Sequence, residues 1–454
     1  MAEFYYFWSD FMTKEILLSL LNEKKYKSIH DVLSKYNPVD IANLLSELEM
    51  KDLAPVFRMI EKDKAAEVFS YMENEQQEHL LNSFNDQEIQ HILDSMYTDD
   101  VVDFLEDMPA NVVKPLLERI DSETRAEINK ILKYGEDSVG SIMTTEFVEL
   151  YPDMTIKDAL ARIKKVGIES ETIYTCYVIE RRKLIGVVSA KKLLTSDDDV
   201  LIRDIMHEEF VFSRTTDDRE DAAKLFRKYG FIALPVLDSE GLIVGIVTFD
   251  DAIDVLTEET TEDMQKMAAM VANDESYLKT SVFTHAKNRI VWLLILMLSA
   301  SVTGMIISKY ENAFAVVPLL VSFIPMLMDT GGNCGSQSAT LIIRGLAVDE
   351  LHFSDFWKII WKEFRVSLLV SIVLSIANTI RIYIMYKDLA LSIVVGISII
   401  CTVIVAKMVG CTLPILAKKL KMDPAIMAAP LITTIVDTCS IVIYFKIATI
   451  LFHI

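Results

Sequence analysis

The last third of the chain constrains the fold most. Between residues 290 and 450 apolar runs recur, each about 20 residues or longer, the length that crosses a bilayer. Lipid offers backbone amides no partner, so each run must close its hydrogen bonds internally as a helix. Five spans are read, at about 290–308, 313–345, 367–386, 389–416 and 425–450. The second carries Pro318, Pro325 and Gly331-Gly332, and is expected to be broken there. Arg344, Lys358, Lys362 and Arg365 follow the second span, and Lys418, Lys419 and Lys421 the fourth. Basic clusters stay inside, which puts the preceding residues in the cytoplasm and the C-terminus outside.

One residue violates the apolar pattern. Asp437 lies roughly 18 Å along a helix from Ala425, near the bilayer midplane. A carboxylate there costs about 2.5–3.5 kcal/mol on insertion scales, and an intramembrane acid is a functional candidate by default. Its companion is GGNCGSQSAT, residues 331–340. Asn333 brings an amide oxygen, Gly331 and Gly332 bring close helix approach and exposed carbonyls, and Thr433 and Thr434 bring hydroxyls. Together these look like oxygen ligands lining a cation path. Two plainer readings compete: Asn333 as interhelical hydrogen-bond glue, and Asp437 as a buried acid paired with Lys407. Asp329 is a second acid beside the glycines, either a pore-mouth ligand or a structural group.

The rest of the chain differs in charge. Residues 1–280 hold 57 Asp and Glu against 31 Lys and Arg, whereas residues 281–454 hold 9 against 14. An acidic soluble part argues against nucleic-acid binding and favours cations as partners. None of the five cysteines forms a CxxC pair, so neither a disulfide framework nor a zinc site is expected. The start, MAEFYYFWSD, lacks the pattern of a secretory signal and reads as a packed or amphipathic cap.

Residues 1–135 carry a twelve-residue repeat. Apolar pairs recur at Leu44-Leu45, Val56-Phe57, Val68-Phe69, Leu80-Leu81, Ile92-Leu93, Phe104-Leu105 and Leu116-Leu117, each followed by a third apolar position such as Leu48, Ile60 or Met72. Spacing of i, i+1, i+4 marks one helical face, so this is a superhelical array of short helices. The acids Asp94, Asp99, Asp100, Asp103, Glu106 and Asp107 read either as a solvated face or as part of a shared divalent-cation site facing the next domain.

Residues 136–198 and 199–257 are two copies of one α/β module. Ser141-Ile142-Met143 matches Asp204-Ile205-Met206, Asp158-Ala159 matches Asp221-Ala222, and Ile185-Gly186-Val187-Val188 matches Val244-Gly245-Ile246-Val247. Each reads as strand, helix, strand, hairpin turn, strand, helix, with Lys183 and Glu240-Gly241 in the turns. The pattern resembles a tandem pair of cystathionine-β-synthase-type (CBS) modules. That resemblance implies adenosine-nucleotide binding, with a Thr or Ser and an Asp three residues on holding the ribose. The second copy keeps Thr248 and Asp251, which also read as a helix cap; the first has Ser189 but Lys192.

Residues 258–286 read as a connecting helix, with Glu258, Glu259, Glu262 and Asp263 at i, i+1, i+4 and i+5. They repel one another unless cations screen them, or they complement the helix dipole. The transmembrane domain then occupies 287–454, entered by the basic residues His285, Lys287 and Arg289.

GGNCGSQSAT and DPAIMAAPLITTIVD, residues 423–437, resemble the MgtE family of magnesium channels and transporters. The order of parts is similar too: an all-α superhelical N-terminal domain, tandem α/β CBS modules, a connecting helix and a five-helix α transmembrane domain. The resemblance implies a cell-membrane homodimer, with spans two and five of both protomers lining one pore. It implies Mg²⁺ as the transported ion at Asp437, with Asn333 lining the path. It implies closure by intracellular Mg²⁺ at acidic residues, for which Glu258, Glu259, Glu262, Asp263, Asp250, Asp99 and Asp100 are candidates, with ATP a candidate ligand at Thr248 and Asp251. No enzymatic activity is expected: none of the seven histidines has the HExxH spacing of an intramembrane metalloprotease. The alternatives are a proton- or sodium-coupled divalent cation carrier that uses Asp437 as a protonatable site, and a tethered sensor without transport.

Overall fold

The computed structural model describes residues 13–452 except 107, 109, 119, 121, 274–276, 279, 311–316 and 428. The aromatic N-terminal segment and Asp107 lie outside the described residues. Two compact units result, Met1–Leu256 and Thr257–Ile454.

The twelve-residue repeat builds short helices: α1 Lys14–Asn22, α2 Tyr26–Leu33, α3 Pro38–Ser46, α4 Met50–Phe57, α5 Lys62–Ser70, α6 Asn74–Ser83, α7 Asp86–Leu93, α8 Thr98–Glu106, α9 Ala110–Leu117 and α10 Ser122–Ile131. Starts are specified by caps. Asn37 accepts from the Val39 amide ahead of Pro38, and Asn85 with Glu88 forms a reciprocal capping box. Val56, Phe57, Val68, Phe69, Leu80, Ile92, Leu93, Phe104 and Leu105 are buried in one continuous core, with Phe69 stacked edge-on against Phe57 and Phe104. Each such side chain contributes about 1.5–3 kcal/mol when removed from water.

Each following module has a three-stranded sheet. In the first, β1 Phe147–Leu150 leads through α11 Ile156–Val166 to a parallel partner, β2 Thr172–Glu180. Then β3 Lys183–Ser189 returns antiparallel into α12 Ala190–Leu194. The second repeats this with β4 Ser213–Arg214, α13 Arg219–Tyr229, β5 Ala233–Leu237, β6 Ile243–Thr248 and α14 Phe249–Met267. The first hairpin turns at Arg181-Arg182, both at positive φ, so Lys183 already belongs to β3. The repeated Ile-Gly-Val and Val-Gly-Ile runs have a packing reason. A Cβ at Gly186 would lie 2.9 Å from Met206 Sδ, and one at Gly245 2.7 Å from the Thr144 carbonyl oxygen. Each module's Ile-Met segment therefore packs on the other module's hairpin.

The connecting helix differs from the expected 258–286. It grows out of the second module as α14 and stops at Met267. Ala269 turns to φ +53, the Met270 amide reaches back to the Gln265 carbonyl, and the Gln265 side chain holds Asn273 at both amide and carbonyl. Residues 268–273 are not helical.

In the second unit α15 Val282–Lys309 is capped by Ser281. A 3-10 turn, Pro318–Phe323, leads into α16 Ile324–Ala347. Next come α17 Phe356–Tyr386, α18 Leu389–Lys419 and, after a 3-10 turn at Pro424–Met427, α19 Ala429–Phe452. Among the described residues four helical segments are long and apolar enough to cross a membrane, those of α15, α17, α18 and α19. The second expected span, α16, is not in that set because its GGNCGSQSAT stretch is too polar. It is packed instead against α18 and α19. The expected break at Gly331-Gly332 does not occur: α16 runs unbroken from Ile324 to Ala347. Its two prolines fall outside the helix or in its first turn, where a missing amide costs nothing.

Candidate functional site

The helix α16 has two unlike faces. Leu327, Gly331, Gly332, Cys334, Gly335, Ser338, Ala339 and Ile342 are buried. Asp329, Asn333, Gln337, Thr340 and Arg344, spaced by three or four, are exposed on the single chain. An apolar unit that leaves a ladder of amides, a hydroxyl and charges uncovered cannot turn it towards lipid, where each polar group costs several kcal/mol. Asp437 on α19 is half-buried, and Asp329 is near enough to repel its carboxylate. The two acids and Asn333 thus border one surface. Asp329, read beforehand as a pore-mouth ligand or a structural group, lies on it; Gln337 and Thr340 join it without having been singled out, and their positions four and seven residues after Asn333 were the available signal.

Gly331 and Gly332 take another part. Both are buried, with Gly331 against Thr402, Val436 and Ser440, and Gly332 against Thr433. Within an unbroken helix their carbonyls accept intrahelical bonds, so the expected exposed carbonyl ligands give way to packing. Thr433 and Thr434 both donate to the Pro430 carbonyl, at 2.9 and 3.0 Å. Lys407 is not the partner of Asp437. It lies 3.1 Å from Ser338 Oγ and 3.8 Å from Glu363, buried between α16, α17 and α18.

In the first unit the start of α8 meets the second module. Asp99 is buried, and burial with the nearby Asp251 raises its carboxyl well above the usual range. Burial first, then Asp251 and Asp250, pushes Asp100 up to about 7. Burial, Asp250 and Asp100 push Glu171 up to about 8, and one of its oxygens is buried without a hydrogen-bond partner. Asp251 is raised to about 6 by burial, although the Thr248 hydroxyl and amide bond to it. Glu146 is held by Thr98, Thr144 and the Thr145 amide. No lysine or arginine pairs with these carboxylates among the described residues, nor do three His, Cys, Asp or Glu side chains converge closely enough to ligate one ion directly. Sequence reasoning found Asp99, Asp100, Asp250 and Asp251 but missed Glu171 and Glu146, which no motif carries.

The connector acids divide. Glu262 lies 2.5 Å from Lys266, which also lies 2.7 Å from Asp423. Burial opposes the Lys266 ammonium, yet those two carboxylates raise its pKa above the ordinary value. Glu258 is exposed, and Glu259 and Asp263 are half-buried.

Residues 324–447, which contain both acids of the surface, match the divalent cation transporter family MgtE. Residues 36–137 match the MgtE intracellular N domain, and residues 139–198 and 202–258 match CBS domains. The chain is 38% identical over 337 residues to the magnesium transporter MgtE of Thermus thermophilus, covering 74% of this chain and 75% of the relative. The chain belongs to the MgtE family. It is a membrane transporter and not an enzyme. The MgtE of Enterococcus faecalis is 35% identical over 329 residues, 72% of each chain. Among solved structures, the cytosolic domain of the Mg²⁺ channel MgtE in complex with ATP is 34% identical with a TM-score of 0.50, covering 53% of this chain and 98% of that one. The soluble part of a magnesium transporter is 32% identical with a TM-score of 0.52, covering 54% and 97%.

Proposed function

We propose that this MgtE-family chain conducts Mg²⁺ through a pore bordered by α16 and α19. The observation that carries the reading is the polar ladder on α16, Asp329, Asn333 and Gln337, beside Asp437 in an otherwise apolar unit. One copy leaves that ladder uncovered, so a second copy completes the path and presents each acid twice. Carboxylates and amides around a water-filled route suit an ion that keeps several waters. The N-terminal domains are cytoplasmic, and the C-terminus, after five crossings, is outside.

Closure follows from the other acidic groups. Asp99, Asp100, Glu171, Asp250 and Asp251 face one another with no basic partner among the described residues, so Mg²⁺ binding, through water, stabilises the closed packing of α8 on the second module. The donor set is all oxygen, which fits Mg²⁺. Glu258, Glu259, Glu262 and Asp263 extend the same sensitivity along the connector. Thr248 and Asp251 form the candidate ATP contact; there Asp251 would serve nucleotide and cation sites at once.

The test is Mg²⁺ influx into liposomes holding the full chain. Asp437→Asn is expected to conduct poorly, and Glu258→Gln/Glu259→Gln/Glu262→Gln/Asp263→Asn to stay open at millimolar internal Mg²⁺. Wild-type influx in Asp437→Asn overturns the pore; influx that tracks an imposed proton gradient replaces the channel with a coupled carrier.

A further inference from the structure

Away from the polar ladder, three membrane helices meet at one hydroxyl. Ser338 of α16 is fully buried and donates to Glu363 of α17 at 2.7 Å. Lys407 of α18 donates to the same hydroxyl at 3.1 Å and lies 3.8 Å from the Glu363 carboxylate. Both charged side chains are almost wholly buried, at 8% and 5% exposure.

We infer that Glu363, Lys407 and Ser338 position the pore helix, fixing the rotation of α16 and so the direction in which Asn333 faces. Taking two charges out of water costs several kcal/mol each, and well-packed apolar residues are often as stable in their place. Stability alone therefore does not account for the pair; geometry does. Ser338 lies five positions after Asn333, roughly 140° around the helix at 3.6 residues per turn. It is thus on the back of α16 when Asn333 is on the front. One turn earlier, Gly335 lies against Ala406 and Gly410 of α18, so a carbonyl contact and a charged hydrogen bond pin the same face. A hydroxyl that accepts from an ammonium and donates to a carboxylate has a single satisfactory orientation. Apolar contacts at that point would let the helix roll.

This inference rests on the pore reading, and the experiment separates the two. Full-length variants are compared in liposomes for Mg²⁺ influx and for the ratio of Mg²⁺ to Ni²⁺ influx, with thermal melting of the same preparations. Glu363→Gln/Lys407→Met removes both charges and strands neither. It is expected to fold, to lose influx by about tenfold or more, as losses of supporting contacts around ion sites do, and to change the Mg²⁺ to Ni²⁺ ratio. The exchange Glu363→Lys/Lys407→Glu is expected to recover part of both. A double variant that folds with wild-type influx and ratio overturns the positioning role. Should the double variant not fold, Ser338→Ala, which removes only the hydroxyl hub, decides by the same two readouts. Asp437→Asn run alongside tells which idea has failed: wild-type influx there removes the pore itself, whereas a dead Asp437→Asn with unaffected Ser338→Ala and double variants removes only the positioning role.

Discussion

Lys266 at the end of the connecting helix is ion-paired with Asp423 at 2.7 Å, and Asp423 in turn accepts the Ala425 amide at 2.7 Å. One carboxylate thus ties the last turn of α14 to the 3-10 turn that introduces α19, the helix of Asp437. Glu262 competes for the same ammonium from one turn back. The connector is therefore bonded to the lead-in of α19, 157 positions further along the chain.

If that bond transmits closure, Lys266→Met should weaken it. The expected outcome is a channel that still conducts but needs about fivefold more internal Mg²⁺ to shut, the size of a modest coupling energy. Influx measured against internal Mg²⁺ checks this; an unchanged closing concentration means the pair is only a surface contact.

The acidic group in the first unit predicts a pH dependence. Asp100 near 7, Glu171 near 8 and Asp251 near 6 are each raised above ordinary carboxylate values near 4, chiefly by burial. Groups raised in the folded state bind more protons there than when unfolded. Their stabilisation is present at low pH and is lost as pH rises through the folded values. In chelator the first unit should therefore melt progressively lower between about pH 4 and about pH 8. Millimolar Mg²⁺ should restore more at pH 8 than at pH 5, because only ionised carboxylates attract it. Melting of the full chain in detergent, followed at both pH values, reads this out; a Mg²⁺ effect independent of pH contradicts it.

Much of the architecture was legible because repeats and periodicity report helix faces directly. The pairs from Val56-Phe57 to Phe104-Leu105 pack in one core, and the two Gly-centred hairpins match in register. Periodicity does not say which face meets which. Lys407 was weighed as a partner for Asp437, yet it bonds toward Glu363, 44 positions earlier, because α17 packs against α18. Glu171 joins Asp99 and Asp100 only through the tertiary meeting of α8 with the module beyond it. Gly331-Gly332 looked like a helix break by propensity, but close packing against Thr402, Val436 and Thr433 overrides that weak preference.

Glycine packing yields a matched pair of substitutions. A Cβ at Gly410 would lie 2.2 Å from the Gly335 carbonyl oxygen, and backbone cannot rotate away. Gly304 in α15 has nothing within 4 Å. Gly410→Ala should destabilise at or above the usual overpacking cost of about 1–3 kcal/mol, and should lower the yield of folded protein. Gly304→Ala should be neutral, or stabilise by up to about 1 kcal/mol through helix propensity. Thermal melting in detergent compares them; equal melting temperatures would mean that α16 and α18 do not approach as closely as described.

Asp329 tests whether an acid at this surface binds the ion or attracts it. It is exposed, four residues before Asn333, and acts on Asp437 through space. Charge lining a cleft raises the local concentration of counter-ions and their rate of entry by about 10–1,000-fold, and salt screens that effect over about 10 Å at 0.1 M. Asp329→Asn should therefore lower Mg²⁺ influx about tenfold at low ionic strength and recover towards wild type in high salt. Asp437→Asn, which removes a group lining the path at membrane depth, should stay impaired in both. Influx of the two variants at low and high salt makes the comparison. Equal salt-insensitive losses would make Asp329 a second ligand, and wild-type influx at low salt would place it outside the path.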